Sequence, residues 1–252
     1  MRSPTKHKHG LVAILDALGA AAYGPTEIDR FMDSRDVVLR LAQEKAEEML
    51  EVNLMSTFTF NDTIVFALEA KAERPRIEEV SGFFLLLRKF MVDSLKNGIL
   101  LRGSIAVGTF YAARDTNTVM GEAVTDAASW YARANWIGIH ATPRATIILN
   151  GLLDAETKKR SHLMVDYTVP MKDGRAVTLK VVNWPKALFV PGLVSESMRT
   201  SPRAMALDWF GRQPIPNGAE DKCFNAITFF DEIVRKQKLG PQSPSGASKG
   251  SQ

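Results

Sequence analysis

The sequence contains a single cysteine, Cys223, in 252 residues. A lone thiol forms no internal disulfide, which excludes a disulfide-stapled scaffold and suits a reducing cytoplasm, the compartment the sequence predicts. Cys223 itself reads as a small buried residue near a helix, in preference to a catalytic thiol. Long apolar runs are also missing: none approaches the roughly 18 residues of a membrane helix, so no membrane partner is expected. Met1 to Gly10 is polar and basic and lacks the apolar centre of a secretory signal. Neither sign of charge dominates, with 32 Lys and Arg against 28 Asp and Glu. A net charge of +4 is too weak to argue for a nucleic-acid partner. The excess lies at Arg2, Lys6 and Lys8 and again at Lys236, Lys238 and Lys249, stretches that read as solvated ends. His7 and His9 fall in the first of them and read the same way.

What is present is the composition of a globular chain, 45% hydrophobic and 24% charged, long enough for one well-packed domain. The predicted organisation is a flexible basic start over residues 1–9 and a folded domain over 10–237. Its core runs to about residue 160 and an elaboration follows. The Ser/Gly/Pro-rich tail, 238–252, is expected to be disordered.

Leu11 to Leu15 is a continuous apolar run of strand length, and Asp16 ends it. Pro25-Thr26-Glu27 opens a helix predicted to reach about Val52, with Phe31, Val38, Leu41 and Met49 near helical spacing. Leu54–Phe60 and Thr63–Leu68 are β-rich runs separated by Asn61-Asp62, a tight-hairpin signal. A second helix from Pro75 ends at Asn97-Gly98 with a left-handed cap. A strand follows over Ile99–Tyr111, then a polar loop over 113–118 and a helix over Gly121–Ala134. A short strand over Ile137–His140 leads to a helix that Pro143 begins and that reaches about Lys158. Strands at about 162–169 and 176–183 flank the turn Lys172-Asp173-Gly174. Residues 185–216, with five prolines, read as irregular, and Asp221–Gln237 as a final helix. The fold class expected is α+β, helices layered on a mostly antiparallel sheet.

The chemistry gathers at two aspartates. Asp16 closes an otherwise apolar strand, and a carboxylate there must be solvated, paired or metal-bound, because burying it alone is very costly. Asp62 at a hairpin tip reads equally well as turn chemistry. If the two strands lie side by side, both carboxylates reach one edge and repel, and a hard divalent cation relieves that repulsion.

Four stretches in order carry a family resemblance over roughly residues 10–140. They are Val12-Ala13-Ile14-Leu15-Asp16; Phe60-Asn61-Asp62-Thr63-Ile64-Val65; Arg102-Gly103-Ser104-Ile105-Ala106-Val107-Gly108; and Gly121-Glu122-Ala123-Val124-Thr125-Asp126-Ala127-Ala128. Together they resemble class III nucleotidyl cyclases, which carry an apolar strand ending in Asp, a hairpin with Asp at its tip, an Arg-x-Gly strand and a Gly-x-x-Val-Asn-x-Ala-x-Arg helix. The resemblance implies a ferredoxin-like cyclase core with a C-terminal elaboration. It implies two Mn²⁺ or Mg²⁺ ions per site, with Asp16, Ala17 and Asp62 as metal ligands. It further implies backbone contacts from Ala17, Leu18 and Gly19 (the stretch extends to Ala21) to the nucleotide phosphates, and neutralisation of phosphate charge by Arg102. Arg133 and Lys222 are lesser candidates for that last task, and a surface or interface ion pair is an equal alternative for Arg102. The family forms head-to-tail homodimers with sites at the interface.

The chain departs from the purine cyclases at four positions. Thr125 and Ser129 stand where Asn and Arg orient the ribose and stabilise the transferring phosphate, and Thr118 stands where adenylyl cyclases usually have Asp. Phe58 occupies the place of the base-reading Lys or Glu. Phe58, Leu101–Ile105 and Val182-Asn183-Trp184-Pro185 look more like the pyrimidine cyclases of bacterial Pycsar anti-phage systems. Those make cyclic UMP or cyclic CMP and act through a separate cyclic-nucleotide-binding effector. That likeness makes Phe58 and Thr125 candidate nucleotide contacts, with core packing the alternative for Phe58. Rival readings are an adenylyl or guanylyl cyclase, a degenerate cyclase fold serving for nucleotide binding or dimerisation, and a structural domain with both aspartates in turns.

Overall fold

The computed structural model describes residues 7–20, 23–49, 55–152, 162–190, 200–212 and 215–238. The apolar run at the start forms the centre of strand β1 (Lys8–Ala17), whose residues from Gly10 onward are all buried. It pairs antiparallel on one side with β3 (Thr63–Glu69) and on the other with β4 (Leu101–Ala113). The strand is apolar throughout because both of its faces are covered. Leu11, Ala13 and Leu15 enter the main core, whereas Val12 and Ile14 enter a second, smaller one.

The sheet order is β2 (Met55–Phe60), β3, β1, β4, β6 (Gly138–Ala141), β8 (Ala176–Val182) and β7 (Met164–Pro170), and β5 (Thr118–Met120) pairs with β4. Every strand pair is antiparallel except β4–β6. The α+β class with a mostly antiparallel sheet is therefore what the chain adopts.

Helices α1 (Pro25–Met49) and α2 (Ile77–Lys96) build the main core. α1 contributes Val38, Ala42 and Ala46, a stripe at four-residue spacing. Leu41 lies beside that stripe and is half-buried. α2 contributes its apolar face from Val80 to Leu95, and Gly98 follows its end at φ +74, the left-handed conformation expected there. Helix α3 (Glu122–Tyr131) covers the other face, laying Ala123 and Ala127 on Val12, Ile14, Phe58, Val65, Ala106 and Phe110. α4 (Pro143–Leu152), α5 (Pro202–Gly211) and α6 (Glu220–Lys238) complete the described helices.

Four expectations are corrected. Lys8 and His9 are part of β1, opposite Phe110 and Thr109, because β4 is long enough to give them partners. Lys8 also pairs with Glu69 at 2.7 Å. The polar loop at 113–118 is the turn of a β4–β5 hairpin, with Asn117 in the left-handed region. The helix predicted over 121–134 stops at Tyr131. The stretch 185–216 contains a 3-10 helix, Pro185–Phe189, and the whole of α5. Pro202 opens α5, where a missing amide hydrogen costs nothing, and Ala206, Trp209 and Phe210 bury its inner face. The first six residues and the tail from 239 lie outside the described residues. So do 153–161 at the end of the predicted core, with the predicted continuation of α4.

Candidate active site

The two aspartates meet through the β1–β3 ladder. Asp16 lies opposite Thr63, the first residue of β3, and Asp62 is the residue before it. The Ala17 amide donates to the Asp62 carbonyl at 3.2 Å, which closes the ladder at that end. Asn61 takes φ +53 to make the two-residue turn, and Arg35 of α1 donates to its carbonyl at 3.4 Å.

Asp16 also lies directly opposite Arg102 on β4. The guanidinium donates through Nε at 2.7 Å, and Nη2 lies 2.7 Å from the same oxygen, Oδ2. Alternation along β1 puts Asp16 on the face of Val12 and Ile14, beneath α3. There the Arg102 guanidinium sits 5.7 Å from the ring centre of Tyr131, at the end of α3. Burial pushes the Asp16 carboxyl above the usual range. The Arg102 contact opposes that push, and the second negative charge of Asp62 adds to it. Desolvation wins because the aspartate closes a strand flanked on both sides. Arg102 is thus bound to a carboxylate of its own chain, in a mostly buried pair. It is the counter-ion of Asp16 within the chain.

Two groups that the sequence reading passed over belong to this end of the sheet. Lys172, in the β7–β8 turn, has its ammonium pushed down by burial and by the positive charges of Arg102 and Lys222, and pulled up by Asp16. Tyr23 has its phenol raised by burial and by Asp62. Neither carries a local sequence signal, since both reach the site through tertiary packing.

Other predicted site residues are placed differently. The amides of Ala17 and Leu18 are engaged, the first on Asp62 and the second on the Leu100 carbonyl at 2.8 Å. They are therefore not open to phosphates. α1 begins at Pro25, whereas Ala17 ends β1 and Leu18 and Gly19 form a turn. Gly19 is in the left-handed region at φ +86, and a Cβ there would stand 2.3 Å from the Pro216 ring. Its close approach is to a proline. Ala21 lies outside the described residues. A cleft of about 300 Å³ beside this loop is lined by Gly19, Tyr23, Arg30, Asn97 and Pro216 among others, and by neither aspartate.

Phe58 is 1% exposed within the smaller core, so its ring has no face to offer a base. Core packing is its role in this chain. Thr125 and Ser129 are exposed on α3, the latter donating to the Asp126 carbonyl at 2.8 Å. Arg133 lies 4.9 Å from the Trp130 ring centre. Lys222 is 8% exposed, and its ammonium donates to the Gly218 carbonyl at 2.8 Å. Cys223 is buried, and burial pushes its thiol up to about 11, as befits an inert packing residue.

Among the described residues no group of three or more His, Cys, Asp or Glu is placed to hold a metal ion. Asp16 and Asp62 nevertheless offer hard oxygens at neighbouring strand ends, and the negative charge of Asp62 helps to raise the Asp16 carboxyl. Mg²⁺ and Mn²⁺ sites that also hold phosphates need only one or two carboxylates, so this donor set fits such an ion. Asp16, Asp62 and the Ala17 backbone would hold it. No described helix is long and apolar enough to cross a membrane.

No protein-family model matches the chain, and no curated protein matches it. Solved structures do show likeness. The adenylyl cyclase CyaB from P. aeruginosa shares 14% identity, over 70% of this chain and 94% of that one, with a TM-score of 0.45. The catalytic core of a rhodopsin-guanylyl cyclase with converted specificity, in complex with ATPalphaS, shares 10%, over 71% and 98%, at 0.48. The guanylyl cyclase Cya2 shares 12%, over 71% and 92%, at 0.44. At these scores the likeness assigns neither activity nor substrate to this chain.

Proposed function

We propose that this chain is a metal-dependent nucleotidyl cyclase that converts UTP or CTP to its 3′,5′-cyclic monophosphate. The observation that carries this reading is the meeting of Asp16 and Asp62 at one end of the β1–β3 ladder. The motifs in Arg102–Gly108 and Gly121–Ala128 accompany them in the order that class III cyclases show.

In the reaction the ribose 3′-oxygen bonds to the α-phosphorus, the bond to pyrophosphate breaks, and the 3′-hydroxyl proton passes to water. Two divalent ions, when bound, acidify that hydroxyl and offset phosphate charge. Asp16 and Asp62 would hold them beside the triphosphate. Arg102, adjacent to Asp16, supplies a fixed positive charge toward the transferring phosphate. A pyrimidine substrate is favoured because the position of the purine-reading Lys or Glu is a buried Phe58, with no polar atom to meet a purine edge. A homodimer with composite sites, a separate cyclic-nucleotide effector and a place in anti-phage defence follow from the Pycsar resemblance.

A second reading, a nucleotide-binding or dimerisation module without turnover, is favoured by one observation: Asp16 already has its counter-ion in Arg102. Incubation of the purified chain with each of the four nucleoside triphosphates and Mn²⁺ separates the two. Cyclic product from UTP or CTP supports the cyclase. Preferred turnover of ATP or GTP overturns the pyrimidine assignment, and no turnover overturns the enzyme.

A further inference from the structure

Arg88 is the most deeply buried charged side chain of α2, at 2% exposed. From Leu86 to Leu95 every residue of that helix except Lys89 is buried. The helix packs on α1 and the sheet, and β8, the 3-10 helix Pro185–Phe189 and α5 also touch it. Its other buried charges are satisfied. Glu79 accepts from the Lys71 and Arg76 amides, and Asp93 pairs with Lys89 and Lys96. Arg88 is not: its Nε and Nη1 are buried without a hydrogen-bond partner. No ion pair among the described residues includes it. Burial pushes the guanidinium down to about 10, and no neighbouring carboxylate opposes that push. A buried charge with no partner is costly, so packing does not explain this arginine.

Two more basic side chains stand at the same place. His162, in the turn before β7, is pushed down by burial and then by the positive charges of Arg88 and Lys186. Lys186 is half-buried in the 3-10 helix. Asn183 holds the two segments together. Its amide donates to the Leu163 carbonyl at 2.9 Å, and its Oδ1 accepts from the Lys186 amide at 3.4 Å. Neither His162 nor Lys186 has an ion-pair partner among the described residues. The charges that act on His162 are not those that act on Asp16 or Lys172, which separates this cluster from the candidate active site. Arg88 and Lys186 carry two positive charges, and His162 adds a ring nitrogen that can donate. A doubly charged oxyanion matches that set, whereas chloride or a single carboxylate leaves one charge unmatched. The guanidinium suits phosphate and sulfate geometry in particular.

We propose that Arg88, His162 and Lys186 form a binding site for a doubly charged tetrahedral oxyanion, a phosphate or sulfate group, at the seam between α2 and the C-terminal elaboration. His162 is exposed, so the site opens to solvent on that side. α2 belongs to the core, and the other two residues belong to the elaboration. A bound ion therefore fastens one to the other and stabilises the folded chain.

The probe is inorganic phosphate, titrated calorimetrically into the full chain at constant ionic strength, with sodium chloride as the balancing salt. Wild type binds it, and its Tm rises with phosphate concentration. Arg88→Met and Lys186→Met each weaken binding about tenfold or more, the loss of one charge-assisted hydrogen bond. Lys236→Met, an equal loss of charge on the exposed face of α6, leaves it unchanged. Without phosphate, Arg88→Met melts no lower than wild type, because it removes an unpaired buried charge and keeps an apolar stem. A purely structural Arg88 predicts the reverse, a lower Tm with phosphate binding unchanged. Should Arg88→Met fail to fold, Lys186→Met, on a half-buried side chain, carries the test alone. The proposal is overturned if wild type binds no phosphate, or if folded variants bind it as wild type does. Binding that survives both substitutions and is lost in Arg102→Ala belongs to the candidate active site and overturns it equally. Nucleotide turnover tests the cyclase reading separately, and neither result decides the other.

Discussion

Asp16 and Arg102 face each other across β1 and β4, with two guanidinium nitrogens each 2.7 Å from a single carboxylate oxygen, Oδ2. A cation arriving at Asp16 meets a carboxylate already neutralised by the chain. Removing one partner of such a mostly buried pair leaves the other unpaired. Arg102→Ala is expected to destabilise the fold by about 2 kcal/mol, read by denaturant titration. It is also expected to enlarge the rise in Tm that Mn²⁺ produces, because the ion then replaces the lost charge. An equal rise in wild type and variant would separate Asp16 from metal binding.

Asp62 stands at a turn, half-buried, and the turn backbone is held by Asn61 and Arg35. Asp62→Ala is expected to abolish cyclisation and to change stability by less than about 1 kcal/mol. Normal activity in this variant would remove Asp62 from the mechanism.

Phe58 separates packing from recognition. Phe58→Ala opens a hole in the smaller core and is expected to destabilise by about 3–5 kcal/mol, read by equilibrium unfolding. The more conservative Phe58→Leu is expected to leave the preference among the four triphosphates unchanged. A changed preference in a stable variant would return Phe58 to the base site.

His140 is fully buried on β6, with Nδ1 3.1 Å from the Ala141 carbonyl, and burial pushes it down to about 4. Its folded value lies below the unfolded value of about 6.5, so the folded state favours the neutral ring. The stability from this group is fully present above about 6.5 and is lost as pH falls from there toward 4, a loss of about 3 kcal/mol. Unfolding measured between pH 7 and pH 4 should show that decline, and His140→Gln should flatten it. The same slope in the variant would assign the decline to other groups.

Strand β1, the Asn61-Asp62 hairpin and helices α1 and α2 were legible because each carries its own local signal. These are a continuous apolar run, a turn pair and a helical stripe. The meeting of Asp16 with Asp62 was legible for the same reason, since a hairpin can lay its strand against β1. The Arg102 contact was not, because register between β1 and β4 is fixed by packing on both faces and by no local residue. α5 hid behind the prolines around it, although Pro202 at a helix start was a signal in itself. Lys172 looked like ordinary turn chemistry. Only the hydrogen bonds from the β7–β8 turn to Arg133 and Asn135 bring it to the site.

The central claim, that Asp16 and Asp62 form the metal-dependent centre of a pyrimidine nucleotide cyclase, is tested most directly by phosphorus NMR. UTP and CTP are each incubated with the chain and Mg²⁺, beside Asp16→Asn and Asp62→Asn. The account predicts equimolar pyrophosphate and 3′,5′-cyclic monophosphate from at least one of the two with wild type, and neither product with the variants. No product from either nucleotide, or undiminished product from both variants, would contradict it.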